Sequence, residues 1–347
     1  MGKVGFSVAR RPTIIDVARL AGVSKATVAR VINGQPEVVR LETRERVLEA
    51  AAQLGYERNA IAGSLRTNQT DMVVLSLPDI TNPFWPEVAR GVQDTLEGYG
   101  FATVTVNSDW SREREQRYLQ LVRRHRFDGL IINPAGISND DLKALNIPVV
   151  TLGGGDNYPD FDAVGSDTEQ GVEDILTHLL ELGHQRIGLI AGQSRRQKGE
   201  TRSQGYIMFH ARHRLYLDDR LIVKTDFHDQ AGYEAMMYLL GLDEPPTAVF
   251  AANDILAIGA LKAAHASERR VPDDVSIVGM DDIYAAAVTS PPLTTVAKPK
   301  YEIGVKAAEL LVESLRVKEH SQPQHIKLPC YLVKRGTTAP PPTQKST

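Results

Sequence analysis

The tetrapeptide Ala21-Gly22-Val23-Ser24 separates two short segments with helical apolar spacing. A helix-turn-helix needs this composition: glycine frees the backbone at the turn, a small apolar residue lies beneath the crossing, and a hydroxyl caps the helix that follows. The chemistry would be recognition of base edges in DNA. Ser24 to Asn33 would enter a major groove, with Lys25 and Ala26 at the leading end and Arg30 one turn on. Ala26 could discriminate only by apolar contact, for instance with a thymine methyl. An ordinary helical hairpin, with Lys25 a solvated charge, is the alternative reading.

Nothing comparable points to catalysis. Asp281-Asp282 offers paired carboxylates, but adjacent residues on an extended chain point apart and no histidine spacing accompanies them. No GxGxxG follows the first strand-like run, and GQSRRQKGE at 192–200 lacks the spacing of a phosphate loop. Gly153-Gly154-Gly155 reads as a flexible turn, His184 as a structural residue before a strand, and Cys330 as a small packed hydrophobe. The expectation is a protein that is not an enzyme, with no cofactor and no metal site.

These residues need elements to hold them. Thr13 can cap IIDVARLA, which places Ile14, Val17, Ala18 and Ala21 on one face. KATVARVIN turns Val28, Val31 and Ile32 inward and Lys25, Ala26, Ala29 and Arg30 outward. LETRERVLEAAAQLGY adds a third helix packed through Val47, Leu48, Ala51 and Leu54 and ending at Gly55. Residues 57–71 read as a linker with a helix-capable stretch from Ala60 to Arg66.

From Met72 the pattern changes to apolar strands alternating with amphipathic helices. The first half reads as strands VVLSL, ATVTV, GLIIN and IPVVTL with helices near Trp85–Gly98 and Arg112–His125. The second reads as RIGLIAG, a strand near Leu221, TAVFAAND and VSIVG, with helices near Glu169–Leu182, Ser203–His213 and Gly232–Leu240. Such alternation predicts two similar βα lobes, each with a parallel sheet covered on both faces. The tail from Gly336, GTTAPPPTQKST, reads as disordered and carries no heptads, so dimers rather than tail-mediated tetramers are expected.

Charge supports the division. The first 70 residues carry 11 Lys/Arg against 6 Asp/Glu, whereas the remainder carries 29 against 37. A small basic domain on a large acidic one suits a polyanion partner for the small part alone. No apolar run approaches the roughly 20 residues that cross a bilayer, and the N-terminus has no signal-peptide core. One cysteine suits a reducing compartment, so a cytoplasmic protein without a membrane partner is expected.

TIIDVARLAGVSKATVARVING, TRERVLEAAAQLGY, RNAIAGSLRT, PDITNPFW, the R-x-x-G at Arg202–Gly205, FAANDILAIGAL, VSIVGMDD and SPPLTTV resemble, in order and spacing, the lactose-repressor/galactose-repressor (LacI/GalR) transcription regulators. The resemblance runs from about Thr13 to Thr338. It implies an N-terminal all-α helix-turn-helix domain plus an α/β two-lobed core like periplasmic binding proteins. The implied partners are a palindromic double-stranded DNA operator, a second copy of the chain, and a small effector, a sugar or sugar derivative, between the lobes.

The implied divisions are an extension (1–12), a DNA-binding domain (13–58), a hinge (59–71), the core (72–335) and the tail (336–347). DNA contacts are implied for Thr13, Ser24, Lys25, Ala26, Thr27, Arg30 and Asn33. The hinge would add Asn59, Leu65 and Arg66, with Leu65 as a wedge between base steps of the minor groove. Read from its residues alone, that segment is equally a linker with Leu65 packed on the core.

For the effector, the resemblance implies Asp79, Phe84, Trp85, Arg202, Phe227, Asn253 and Asp281, the aromatics stacking on a ring and the polar groups holding hydroxyls. Four places depart from the family pattern. Gly63 replaces a common arginine, Arg40 a capping serine, Met280 an aromatic residue, and the Gly153–Gly155 run an Asp-Arg pair.

Overall fold

The computed structural model describes residues 12–32, 39–57, 69–192, 201–316 and 322–342, and the chain divides at Thr70/Asp71 into two units. In the first, α1 (Ile14–Ala21) opens on a capping box in which Thr13 and Asp16 satisfy each other's backbone N–H groups. It closes at Gly22, whose φ of 63° side-chain-bearing residues rarely adopt. α2 (Lys25–Ile32) and α3 (Leu41–Leu54) complete the unit. Its core is Val17, Ala18, Ala21, Val28, Val31, Val47, Ala50 and Ala51.

Leu48, expected in that core, is 44% exposed. The buried stripe of α3 runs Val47, Ala50, Ala51, and Leu48 sits about 100° round the helix from Val47. Ala29, expected outward, is half-buried. Arg40 precedes α3 without a side-chain cap, as the departure at that position implies.

The second unit holds two six-stranded sheets. One runs β11-β5-β4-β3-β1-β2 and is all parallel; the other runs β12-β10-β9-β8-β6-β7, with only β12 antiparallel. The strands of the first are β1 (Met72–Leu77), β2 (Ala102–Asn107), β3 (Gly129–Ile132), β4 (Val149–Leu152), β5 (Asp162–Ser166) and β11 (His325–Leu328). Those of the second are β6 (Ile187–Gly192), β7 (Ile222–Thr225), β8 (Ala248–Ala251), β9 (Ser276–Asp281), β10 (Thr294–Ala297) and β12 (Tyr331–Val333). In each lobe the strand order reverses beside the first strand, the place where open α/β sheets form a crevice.

Helices cover both faces of each sheet. Val73, Leu75 and Leu77 of β1 pack toward α4 (Phe84–Gly98) and α12 (Lys300–Arg316). Val74, pointing the other way, meets the layer of α5 (Arg112–His125) and α6 (Asn139–Lys143). The second sheet lies between α7 (Thr168–Glu181) with α8 (Thr201–Arg212) on one side and α9 (Asp229–Leu240) with α10 (Asp254–Ala266) on the other; α11 (Tyr284–Val288) follows β9. α4 and α12 cross closely: a Cβ on Gly91 would stand 2.1 Å from the Tyr301 carbonyl oxygen, and one on Gly304 2.1 Å from that of Val88.

The chain passes between lobes three times, at 166–168, 297–300 and 328–331, so each lobe is assembled from separated stretches of sequence. Residues 336–342 correct the expectation of a disordered tail there. Thr337 is fully buried, its hydroxyl donating to the Ile277 carbonyl and accepting from the Thr294 amide, and the Ala339 carbonyl accepts from Ser276 Oγ. Prolines need no ladder hydrogen bond, so the Pro-rich segment can lie along a sheet margin. Residues 343–347 fall outside the described residues.

Candidate functional site

The three-helix unit presents α2 at its surface. Ser24 Oγ accepts the Thr27 amide at 3.1 Å and fixes the start of the helix. Lys25, Ala26 and Arg30 are exposed, while Val28 and Val31 anchor the opposite side. Thr27 is half-buried, with its hydroxyl 2.9 Å from that of Ser24, so these two form the cap from which the cationic face departs. Thr13 is engaged in the α1 cap. Asn33, Asn59, Leu65, Arg66 and the departure at Gly63 lie outside the described residues.

In the core, the C-terminal ends of strands from both lobes converge on a cavity of about 500 Å³. Phe84 and Trp85 follow β1, Trp110 follows β2 and Asn133 follows β3; from the other lobe come Arg202 of α8, Phe227 after β7, Asn253 after β8 and Asp281 at the end of β9. Phe84 and Trp85 pack edge to face, centroids 4.9 Å apart. Trp110 and Phe227 face each other from opposite lobes. Phe227 occupies the space over Gly192, where a Cβ would come within 2.0 Å of its ring.

The polar groups are held firmly. Asn253 Oδ1 accepts the Leu256 amide at 2.9 Å as the cap of α10, which leaves its Nδ2 as a donor to the cavity it lines. Asp281 has φ of 119°, a left-handed conformation that costs about 1–3 kcal/mol and persists only when neighbours impose it. Lys298 Nζ lies 3.2 Å from its carboxylate, both side chains being almost fully buried, and Lys300 Nζ donates to the carbonyls of Asp281 and Asp282 at 3.0 and 2.8 Å. Asp282 pairs instead with Arg335 at 2.7 Å, so the adjacent carboxylates serve different partners.

Burial pushes the Lys298 amine below the usual lysine range, and the nearby Arg202 charge adds to this, while Asp281 opposes it. Lys298 also sits 5.7 Å from the Phe84 ring centroid. Arg202 is half-buried and its Nε donates to Met280 Sδ at 3.4 Å, so the sulfur that replaces an aromatic residue is a direct neighbour of the guanidinium. Asn133 donates to the Leu152 carbonyl at 2.5 Å, and its buried Oδ1 has no hydrogen-bond partner among the described residues. An unmet buried acceptor beside a cavity suits a ligand hydroxyl.

Six of the seven effector residues implied by the sequence therefore meet in one cavity, and Asp79 does not. Its Oδ1 accepts the Thr81 amide at 2.9 Å and hydroxyl at 2.6 Å, closing a turn away from the cavity wall. Trp110, Asn133 and Asn82 line the cavity although sequence reasoning passed over them. Their signal was position: Trp110 and Asn133 stand just beyond strand ends, where a parallel lobe places its ligand groups. No cluster of metal-ligating side chains occurs among the described residues.

Two family models match the chain. That for bacterial regulatory proteins of the lacI family covers residues 13–59, and that for a periplasmic binding protein-like domain covers 176–338. The ribose operon repressor of Halalkalibacterium halodurans is 36% identical over 328 residues, 94% of this chain and 97% of that protein. Among solved structures, the lac repressor dimer bound to operator and the anti-inducer ONPF superposes with a TM-score of 0.85 at 28% identity, covering 95% of this chain and 100% of that one. A complex of the transcriptional regulator CelR with cellobiose gives 0.71 at 32% identity, covering 94% and 100%.

Proposed function

The chain belongs to the lacI family of bacterial regulatory proteins, and from that premise we propose a sequence-specific DNA-binding transcription regulator, a repressor, controlled by a small metabolite. As a homodimer it presents two α2 helices to the half-sites of a palindromic operator, Lys25, Ala26 and Arg30 leading. Residues 13–58 act as the DNA-binding domain, 59–71 as the hinge that carries Asn59, Leu65 and Arg66 to the minor groove, and 72–335 as the sensing and dimerising core. No catalytic step is assigned; the relatives are DNA-binding regulators. The site of action is chromosomal DNA in the cytoplasm, and no helix among the described residues is long and apolar enough to cross a membrane.

One observation carries the coupling: the cavity walls come from both lobes. A ligand there must touch Phe84 and Asn133 on one side and Phe227, Asn253 and Asp281 on the other, so its binding energy depends on how the lobes are placed. It shifts the population between lobe arrangements, and DNA affinity changes reciprocally. The ligand is a sugar or sugar derivative. Aromatic rings beside an amide pair, a carboxylate and a guanidinium provide stacking together with hydroxyl partners, and relatives named for ribose and complexed with cellobiose favour the same class.

Selection of bound duplexes from a random pool, repeated with a sugar panel, tests the proposal. A palindrome should emerge, and one sugar should change its recovery; absence of any sequence preference with every ligand would remove the DNA reading. The parallel Trp110–Phe227 pair favours one second ligand class, a flat nucleobase, and nucleosides in the panel decide between the two.

A further inference from the structure

The cavity wall extends beyond the aromatic residues and polar contacts assigned above. It continues from the residues after β1 across the ends of β3 and β4 to β5 and the edge strand β11. Neighbouring strands lie about 4.8 Å apart, so the four steps from β1 to β11 span roughly 19 Å, well over the width of one sugar ring.

The outer part of this wall is kept clear by what it lacks. Gly153 has φ of 75°, and a Cβ built on it would meet nothing within 4 Å, so any side chain there would project into open space. Just beyond, Asn157 and His325 supply hydrogen-bonding groups along the wall, and the unmet Asn133 Oδ1 sits between this region and the aromatic end.

We infer that the cleft has two subsites and that its ligand is a disaccharide or a glycoside of similar length. One ring lies against Phe84, Trp85 and Phe227, and the other lies over Gly153 beside Asn157 and His325. Asn133 accepts a hydroxyl near the junction. This inference rests on the sugar reading above.

Calorimetric titration of the full chain with ribose, glucose, galactose, cellobiose, maltose, lactose and sucrose tests it. At least one disaccharide should bind about tenfold or more tightly than its component monosaccharides. Gly153→Asn uses a residue that tolerates the left-handed backbone and places an amide in the open floor, so it should lower the disaccharide-to-monosaccharide affinity ratio about tenfold. His325→Ala makes no backbone demand and should lower the same ratio.

Binding of a monosaccharide alone would overturn the second subsite and leave the sugar reading standing. Binding of no sugar of either length would overturn the sugar reading itself. Tight disaccharide binding with an unchanged ratio in both variants would overturn the placement over Gly153.

Discussion

Trp110 of one lobe and Phe227 of the other lie with ring planes 18° apart and centroids 6.0 Å apart across the ligand cavity. Trp110 is carried there by a left-handed turn, Asp109 and Trp110 having φ of 47° and 55°. Carbon atoms pack best at about 3.5–4.0 Å, so a flat ring cannot enter between these two without moving the lobes apart. The pair is a lobe-to-lobe contact of the closed cleft.

Trp110→Ala should therefore weaken effector binding about two- to tenfold, the range of one aromatic pair. Calorimetry checks this. Only Trp85 and Trp110 fluoresce as tryptophan, so the ligand-induced emission change should also shrink in the variant. Unchanged affinity would remove the pair from the closure.

Lys298→Met should destabilise the core by roughly 3–5 kcal/mol, because Asp281 would remain buried without its cation. Adding Asp281→Asn should recover part of that loss by removing the stranded charge. Urea unfolding of both single variants and the double gives the coupling between the two positions. Strict additivity would mean that the pair does not interact.

Asp254 sets a pH dependence. It is fully buried, bonded to the Ile283 amide and the Thr295 hydroxyl, and pushed up to about 7 by burial and then by the Asp281 charge. Between its ordinary value near 3.8 and about 7, the folded chain holds a proton that the unfolded chain has lost. The stability it contributes is complete below the unfolded value and disappears as pH rises through about 7. The slope from this group is at most about 1.4 kcal/mol per pH unit. Denaturant midpoints at pH 5 and pH 8 should differ in that direction in the parent and converge in Asp254→Asn.

Gly91→Ala should cost about 1–3 kcal/mol, since the new methyl meets the Tyr301 carbonyl and α4 must move away from α12. Gly98→Ala, at the far end of α4 with nothing within 4 Å of the added carbon, should be neutral or stabilising. Thermal unfolding of the pair separates close helix approach from helix propensity. Equal midpoints would contradict the close crossing.

The three-helix unit was legible because its signals are local: the Thr13 and Ser24 caps, the Gly22 turn and the stripe through Val17, Ala18 and Val28 each need only a few neighbouring residues. The strands were legible as short apolar runs. Less legible was α10, whose buried Leu256, Ala257, Ala260, Ala263 and Ala264 leave little amphipathic contrast. Asp79 stood at the right distance from β1, yet the hydroxyl two residues on takes its oxygen. Trp110 gave no signal of its own, because what brings it to Phe227 is the meeting of two sheets rather than any nearby spacing. The Pro-rich end suggested solvent, whereas Thr337 finds backbone partners in β9 and β10 that are far away in sequence.

The threefold passage between lobes bears on how the chain is made. The first lobe needs α12 and β11, and the second needs β12 and the buried Thr337, so neither sheet is whole until almost the last codon has been read. A ribosome holding the final few dozen residues in its tunnel would display the three-helix unit already able to close around its own core, tethered to two half-built sheets with open edges.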